Sequence, residues 1–299
     1  MIFAAIDIGS NAVRLLFANA FEKDEQIHVE KATLIRIPIR LGKDVYKGNS
    51  ISKKRAGNLI KTLKAFSLLI DVYKPVAFEA CATAAMREAE NGQEILKRIR
   101  KETGMNIRIV DGLEEAEIIR SANGFTSTPG NHLTMFVDLG GGSTEISLMW
   151  GSKVIGARSF NIGTLRLTGK KVPKSEWDAL ESWLKEFSGE FGKMNVIGSG
   201  GNINKIAKLY GNTEDNTLTF QQLEYAFKHL SSYSLQERIE LMGLRPDRAD
   251  VIVPAAKVFL FITRIIKAEE ILVPKIGLAD GLIYRLYQTH GKKPKRSVK

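Results

Sequence analysis

Short apolar runs alternate with amphipathic segments along the first 125 residues, and this pattern predicts alternating strands and helices. Residues 1–20 read as two apolar strands that flank a polar turn at residues 9–11. Residues 52–71 repeat apolar side chains at helical spacing, with a cap expected at Ser50 or Ser52. The alternation continues with strands predicted at 33–42, 75–83 and 106–112, and helices at 93–102 and 113–125. Such alternation is typical of a layered α/β fold.

The second half of the chain repeats this scheme before helices become dominant. The pattern of residues 133–150 predicts a strand, a glycine turn and a second strand, and residues 152–163 are expected to continue the sheet. A helix at 175–191 is followed by strand, glycine turn and helix over 194–211. Further helices are predicted at 219–231, 234–243, 254–269 and 278–289. The polar stretch at 126–132 is the expected boundary between the halves.

Composition excludes several classes of protein. The 299 residues include one cysteine and four histidines, so an internal disulfide is excluded and a Cys/His metal cluster is not expected. The chain has no apolar run near the roughly 18 residues that span a bilayer, and its start has no basic leader. We therefore expect a cytoplasmic protein with no membrane association.

The net charge of +11 favours a polyanionic partner. Basic residues cluster at 52–64, at 97–101 and at the C-terminus. These clusters carry little aromatic interleaving and no recognised nucleic-acid motif, so no specific nucleic-acid partner is expected. The charge alone leaves nucleic acid, an anionic membrane surface and phosphate-rich small molecules open as partners, and it fits a role in solubility equally well.

An internal repeat supplies the candidate chemistry. "AAIDIGSNAVRLLF" and "MFVDLGGGSTEISLMW" share an apolar run, an aspartate, one apolar residue, a glycine, small polar residues and an alternating strand. Turns of this kind present backbone N–H groups to an anion. Hydroxyl and amide side chains in the turns add donors suited to phosphate, namely Ser10, Asn11, Ser143 and Thr144.

The aspartate before each turn points to a metal ion. Asp7 and Asp138 would lie too close to bare phosphate without a cation between them. A hard divalent ion, most simply Mg²⁺, would be held there through carboxylate and water. A third glycine turn, at 198–201 before a helix, also suits phosphate or nucleotide.

These motifs resemble the paired phosphate motifs of the actin, Hsp70 and sugar-kinase superfamily. Within it, the chain closely resembles the exopolyphosphatase and guanosine pentaphosphate phosphohydrolase family. Further matching stretches follow in order from residue 2 to about 287: "ATAAMREAENG", "DGLEEAE", "NIGTLRL", "GSGGNINKIA", "RPDRADVIVPAAKVF" and "GLADGLIYRL". The resemblance implies two actin-like, ribonuclease H-like lobes and hydrolysis of terminal phosphate from a linear phosphoanhydride in the cleft between them.

The resemblance also implies roles for residues at matching positions. Glu115 matches the general base for water, and Glu145 matches a second acid that assists metal or water. Asp138, together with Asp7, is expected to hold Mg²⁺. The substrate-binding residues implied are Ser10, Asn11, Arg87, Gly140, Gly141, Gly142, Ser143, Thr144, Arg166, Gly200, Gly201 and Asn202.

The same resemblance predicts how the chain is divided and assembled. Residues 1–125 form lobe I, joined by the C-terminal helix 278–290, residues 126–277 form lobe II, and residues 291–299 form a disordered basic tail. Many family members carry an additional helical region, and the chain resembles the short form that lacks it. A homodimer is expected, because family members are often dimers.

Three functions remain open at this point. The first is hydrolysis of inorganic polyphosphate, with guanosine pentaphosphate as a further substrate. The second is an ATPase or kinase of the wider superfamily, although no acceptor pocket is evident in the sequence. The third is a non-catalytic sensor of polyphosphate or nucleotide, which would have no need of a general base.

Overall fold

The computed structural model describes residues 1–24, 26–122, 133–151, 153–169, 172–188 and 194–291. Two β-sheets dominate it. The first sheet has the strand order β3-β2-β1-β4-β5. Its strands are β1 (Ile2–Ile8), β2 (Val13–Lys23), β3 (Gln26–Ile37), β4 (Phe78–Ala82) and β5 (Arg108–Ile109). Strands β1, β2 and β3 are antiparallel neighbours, whereas β4 runs parallel to β1 and to β5.

The second sheet has the order β10-β11-β9-β6-β7-β8. Its strands are β6 (Leu133–Leu139), β7 (Thr144–Trp150), β8 (Lys153–Phe160), β9 (Asn195–Ser199), β10 (Thr217–Thr219) and β11 (Glu270–Leu272). Strands β6, β7 and β8 are antiparallel, and β9 is parallel to β6 and β11. Five strands of this sheet therefore follow the order and directions of the first sheet, and the repeat seen in the sequence is confirmed as a structural repeat.

Helices flank both sheets, and their bounds follow in chain order. They are α1 (Gly42–Gly48), α2 (Lys53–Tyr73), α3 (Ala84–Glu88), α4 (Gly92–Thr103), α5 (Gly112–Ser121), α6 (Thr164–Gly169), α7 (Lys174–Ser188), α8 (Gly201–Tyr210), α9 (Phe220–Ser232), α10 (Leu235–Glu240), α11 (Pro246–Ala249), α12 (Ile252–Ile265) and α13 (Leu278–His290). Ser52 caps α2 by accepting a hydrogen bond from the Arg55 N–H at 3.3 Å, as one of the two predicted serines.

The C-terminal helix α13 packs on the first sheet. Leu282 and Ile283 share an apolar core with Phe3 of β1 and Ile118 of α5. A Cβ on Gly281 would lie 2.0 Å from the Ile118 carbonyl oxygen, so glycine allows α13 to approach α5 closely. The predicted division of the chain into two lobes, with the last helix joined to the first, stays a prediction.

Several elements differ from those predicted. The sequence patterns missed the short helices α1, α3, α6 and α11, and also the two strands β10 and β11. The helix predicted at 254–269 ends at Ile265, because the chain then turns to pair β11 with β9. The boundary predicted at 126–132 and all but the first residue of the predicted tail lie outside the described residues. Within the described ranges, we find no helix with the length and apolar character needed to cross a membrane.

Candidate active site

A cavity of about 460 Å³ opens between the two repeated turns. The turn after β1 and the turn after β6 both line it, and so does the turn after β9. The N-terminal end of α13 and one face of α5 also contribute to its walls. The cavity therefore brings together the three glycine-containing turns that the sequence identified separately.

The two repeats carry different charges at one equivalent position. On the first sheet, Asp7 lies opposite Arg14 in the β1–β2 pairing, and their side chains form an ion pair at 2.5 Å. On the second sheet, Asp138 lies opposite Glu145 in the β6–β7 pairing. Each partner follows its aspartate by seven residues. One aspartate is thus neutralised by arginine, whereas the other faces a second acid.

The acidic side of the cavity is buried and mutually repulsive. Glu145 is only 2% exposed, and burial, followed by the charge of Asp138, raises the pKa of Glu145 to about 7. Burial also raises the pKa of Asp138, with a further contribution from Asp7. The Ser159 hydroxyl donates a hydrogen bond to Glu145 at 2.8 Å, which opposes this rise.

Glu115 joins this group from the first turn of α5. Asp111 caps the helix by accepting a hydrogen bond from the Glu114 N–H at 2.8 Å. A Cβ on Gly112 would lie 2.7 Å from Glu145 Oε1, so glycine lets the helix start directly against that carboxylate. Burial raises the pKa of Glu115 well above its usual range, and the charge of Glu145 is the next cause. A carboxylate in such surroundings is suited to accepting a proton near neutral pH.

The triple glycine after β6 permits close packing between the two repeats. Neither Gly141 nor Gly142 has a positive φ, so backbone freedom does not explain these residues. A Cβ on Gly141 would lie 2.9 Å from the Ser10 Cβ, and one on Gly142 would lie 1.9 Å from the Tyr46 hydroxyl. The same Tyr46 hydroxyl hydrogen-bonds the Ser10 hydroxyl at 2.8 Å. Side chains at these positions would force the two turns apart.

The turn after β9 requires glycine for a different reason. Gly200 has a φ of +117°, and a Cβ there would lie 2.7 Å from the Leu139 carbonyl oxygen. Both the torsion and the contact exclude a side chain. Gly201 and Asn202 follow it at the start of α8 and line the cavity.

Comparison with protein-family models matches residues 24–290 to the Ppx/GppA phosphatase family. The chain belongs to this family. Family membership confirms the resemblance found in the motifs, and with it the predicted α/β fold of actin-like type. Membership also points to an enzyme that depends on a divalent metal ion.

Relatives of this chain include proteins named as an exopolyphosphatase and as a pyrophosphatase. Exopolyphosphatase 1 of Mycobacterium tuberculosis is 28% identical over 310 residues, which cover 95% of this chain and 88% of that protein. A guanosine-5'-triphosphate,3'-diphosphate pyrophosphatase of Aliivibrio fischeri is 23% identical, over 99% of this chain and 62% of that protein. A Ppx/GppA family member from Aquifex aeolicus has a solved structure with a TM-score of 0.75 and 27% identity, covering 98% and 99% of the two chains.

Thirteen of the sixteen predicted site residues line the cavity of this Ppx/GppA chain. They are Asp7, Ser10, Asn11, Glu115, Asp138, Gly140, Gly141, Gly142, Ser143, Glu145, Gly200, Gly201 and Asn202. Their predicted roles stay predictions, but the fold has brought them to one place from four separate segments.

The other three predicted residues do not line the cavity, and their side chains form hydrogen bonds within the protein instead. The Thr144 hydroxyl is buried and donates a hydrogen bond to the Ile162 carbonyl oxygen. Arg87 donates to the Val110 carbonyl oxygen at 2.8 Å, and its charge lowers the pKa of Glu115. Their direct contacts with phosphate stay predictions.

The third residue, Arg166, holds the glycine turn through a hydrogen bond to its backbone. Its Nε donates to the Gly142 carbonyl oxygen at 2.8 Å, and its Nη2 donates to both carboxylate oxygens of Glu88 in α3, at 2.7 and 2.8 Å. The guanidinium also stacks on the Tyr46 ring, 4.3 Å from its centroid. Arg166 thereby ties the turn of the second sheet to helices beside the first sheet.

A group of basic residues in the cavity was missed by the sequence patterns. They are Arg14, Lys31, Arg36, Lys205, Lys208, Arg248 and Lys275. The Nε and Nη1 atoms of Arg36 are buried without a hydrogen-bond partner, although Nη2 pairs with Asp247 at 2.5 Å. Burial lowers the pKa of Arg248, and the charge of Arg36 lowers it further. Two partly buried guanidinium groups of like charge, with two Arg36 nitrogens left without a hydrogen-bond partner, favour an anionic ligand at this place.

The acidic side chains fit a metal ion that is bound partly through substrate. Within the described ranges, we find no group of three or more Asp, Glu, His or Cys side chains arranged to hold a metal ion by themselves. Asp7 is already paired with Arg14, whereas Asp138 faces other acids. Mg²⁺ commonly binds one or two carboxylates together with water and substrate phosphates. Asp138 is the side chain best suited to such an ion.

Proposed function

We propose that this chain removes terminal phosphate from inorganic polyphosphate and accepts guanosine pentaphosphate as a further substrate. The enzyme class predicted from the sequence, a phosphoanhydride hydrolase, agrees with the family and with the names of its relatives. The observation that supports the reaction is that one cavity is lined both by a group of buried acids and by a group of basic side chains. A phosphate chain requires both, because its terminal group reacts while the remaining groups must be neutralised.

The proposed reaction is a direct displacement by water. Glu115 accepts a proton from water as the water oxygen forms a bond to the terminal phosphorus. The bridging P–O bond breaks, and its electron pair leaves with the shortened chain. The high pKa of Glu115 favours the proton transfer. Phosphoryl transfer depends mainly on positioning and charge compensation, which the turn amides and the basic side chains would supply.

Mg²⁺ is the metal ion that we propose for this site. Asp138 would hold it, and Asp7 would lie beside it in its ion pair with Arg14. The ion would neutralise charge on the substrate phosphates. Cytoplasmic location, a homodimer and the absence of a specific nucleic-acid partner also stay predictions from the sequence.

The test is release of phosphate from short polyphosphate, long polyphosphate, guanosine pentaphosphate and ATP, with and without Mg²⁺. Glu115→Gln should retain substrate binding and lose turnover by about 100-fold or more. Glu114→Gln is the matched control on the same helix, because Glu114 pairs with Arg108 outside the cavity. Near-normal turnover by Glu115→Gln would show that another group is the base.

The remaining outcomes distinguish the alternatives. Phosphate release from ATP alone would identify an ATPase or kinase of the superfamily. Tight binding of polyphosphate without release from any substrate would identify a sensor.

A further inference from the structure

Two rows of side chains cross strands β2 and β3 on the face that lines the cavity. Arg14 lies opposite Arg36, and Leu16 lies opposite Leu34 two residues further along the strands. Because alternate residues of a strand face the same side, all four side chains lie on one face, with the rows roughly 7 Å apart. The basic row is therefore followed directly by an apolar row.

The apolar row continues into a wall formed by the start of α13. Ile276, Leu278 and Ala279 line the same cavity and are nearly buried. Leu34, in contrast, is 53% exposed and presents apolar surface to the open space. The ion pair between Lys31 and Asp280, at 2.8 Å, lies at the edge of this wall.

An inorganic phosphate chain has no apolar part that could occupy this wall. A nucleotide has both an anionic part and an apolar part. Its phosphates would contact the basic row, while its base and ribose would contact the apolar row. Apolar walls with a few polar groups at the edge are typical of sites that bind small organic ligands.

We infer that the wall around Leu34 binds the nucleoside of a phosphorylated nucleoside such as guanosine pentaphosphate, and that Leu34 determines the preference for nucleotide over polyphosphate. This inference rests on the proposed function, because the nucleotide is a substrate of the same reaction. Leu34 contributes to specificity through contact with the nucleoside and takes no part in the chemical step.

The test compares kcat/KM for guanosine pentaphosphate with kcat/KM for tetrapolyphosphate in each variant. In Leu34→Ser the ratio of the two values should fall about five- to tenfold, because a side-chain contact of this size is lost only for the nucleotide. Leu34→Met, which keeps an apolar contact, should restore most of the ratio. Leu68→Ser is the matched control, since Leu68 is 67% exposed and does not line the cavity.

A ratio within about twofold of wild type in Leu34→Ser would overturn the inference. Hydrolysis of polyphosphate by the wild type, with no hydrolysis or binding of guanosine pentaphosphate, would also overturn it. If neither compound is hydrolysed, the proposed function fails and calorimetric binding of guanosine pentaphosphate tests the inference alone. Weaker binding by Leu34→Ser than by Leu68→Ser would then support it, and equal binding would overturn it.

Discussion

Replacing Glu145 with glutamine tests the charge repulsion in the acidic part of the cavity. Burial and Asp138 raise the pKa of Glu145 from 4.5 to about 7. One pKa unit corresponds to about 1.4 kcal/mol, so ionising Glu145 in the native state costs about 3 kcal/mol of stability. Glutamine keeps the size of the side chain and can still accept the hydrogen bond from Ser159, but it carries no charge.

The sign of the effect follows from the native pKa lying above the unfolded value. The native state then binds the proton of Glu145 more tightly than the unfolded state does. The contribution of this proton to the free energy of unfolding is therefore complete below about pH 4.5 and is lost as the pH rises through 7. Wild type should lose about 3 kcal/mol from this group between pH 4.5 and pH 8. Glu145→Gln should lack that loss, and the pKa of Glu115 should fall as well because Glu145 is one of the causes of its rise.

The assay is urea denaturation at pH 5 and pH 8 in the presence of a chelator. Glu145→Gln should gain stability relative to wild type at pH 8 and gain little at pH 5, while the exposed control Glu240→Gln should show no pH-dependent difference. Adding Mg²⁺ at pH 8 should reduce the gain, because a cation relieves the same repulsion. Parallel pH dependence of wild type and Glu145→Gln would refute the reasoning.

Two further predictions concern the packing of the glycine turn. Gly142→Ala should lower kcat/KM about 100-fold, because its Cβ would lie 1.9 Å from the Tyr46 hydroxyl and displace the turn. Steady-state kinetics would show this, and Gly57→Ala, which has open space around it, should behave as wild type. Arg166→Gln should lower the free energy of unfolding by about 1–2 kcal/mol through loss of its bonds to Gly142 and Glu88. Unchanged stability in urea denaturation, together with a large loss of activity, would instead support the direct phosphate contact implied by the family.

The paired turns could be predicted because their signal is local. Each consists of an aspartate, glycines and small polar residues within a few positions, and the second copy makes chance occurrence improbable. The register of Asp138 with Glu145 follows directly from the length of the turn. The same spacing identifies Arg14 as the partner of Asp7, so this residue could have been found by aligning the two repeats seven residues beyond each aspartate.

The remaining basic residues could not be found in this way. Arg36 and Arg248 are 212 positions apart in the chain, and they come together where Asp247 of α11 forms its ion pair with Arg36 of β3. The short helices α1, α3 and α6 have too few residues for a periodic pattern to emerge. Their positions depend on contacts between the halves, such as Tyr46 against the glycine turn.

The two repeated aspartates have strand partners of opposite charge, so the two halves of the cleft differ in electrostatic potential. A duplicated scaffold with identical charges would present a phosphate chain with two equivalent ends. Here the arginine opposite Asp7 and the glutamate opposite Asp138 give the two repeats unlike charges within one cavity. A linear polyanion in this site would meet unlike charges on the two repeats, which agrees with the proposed attack at one terminus of the chain.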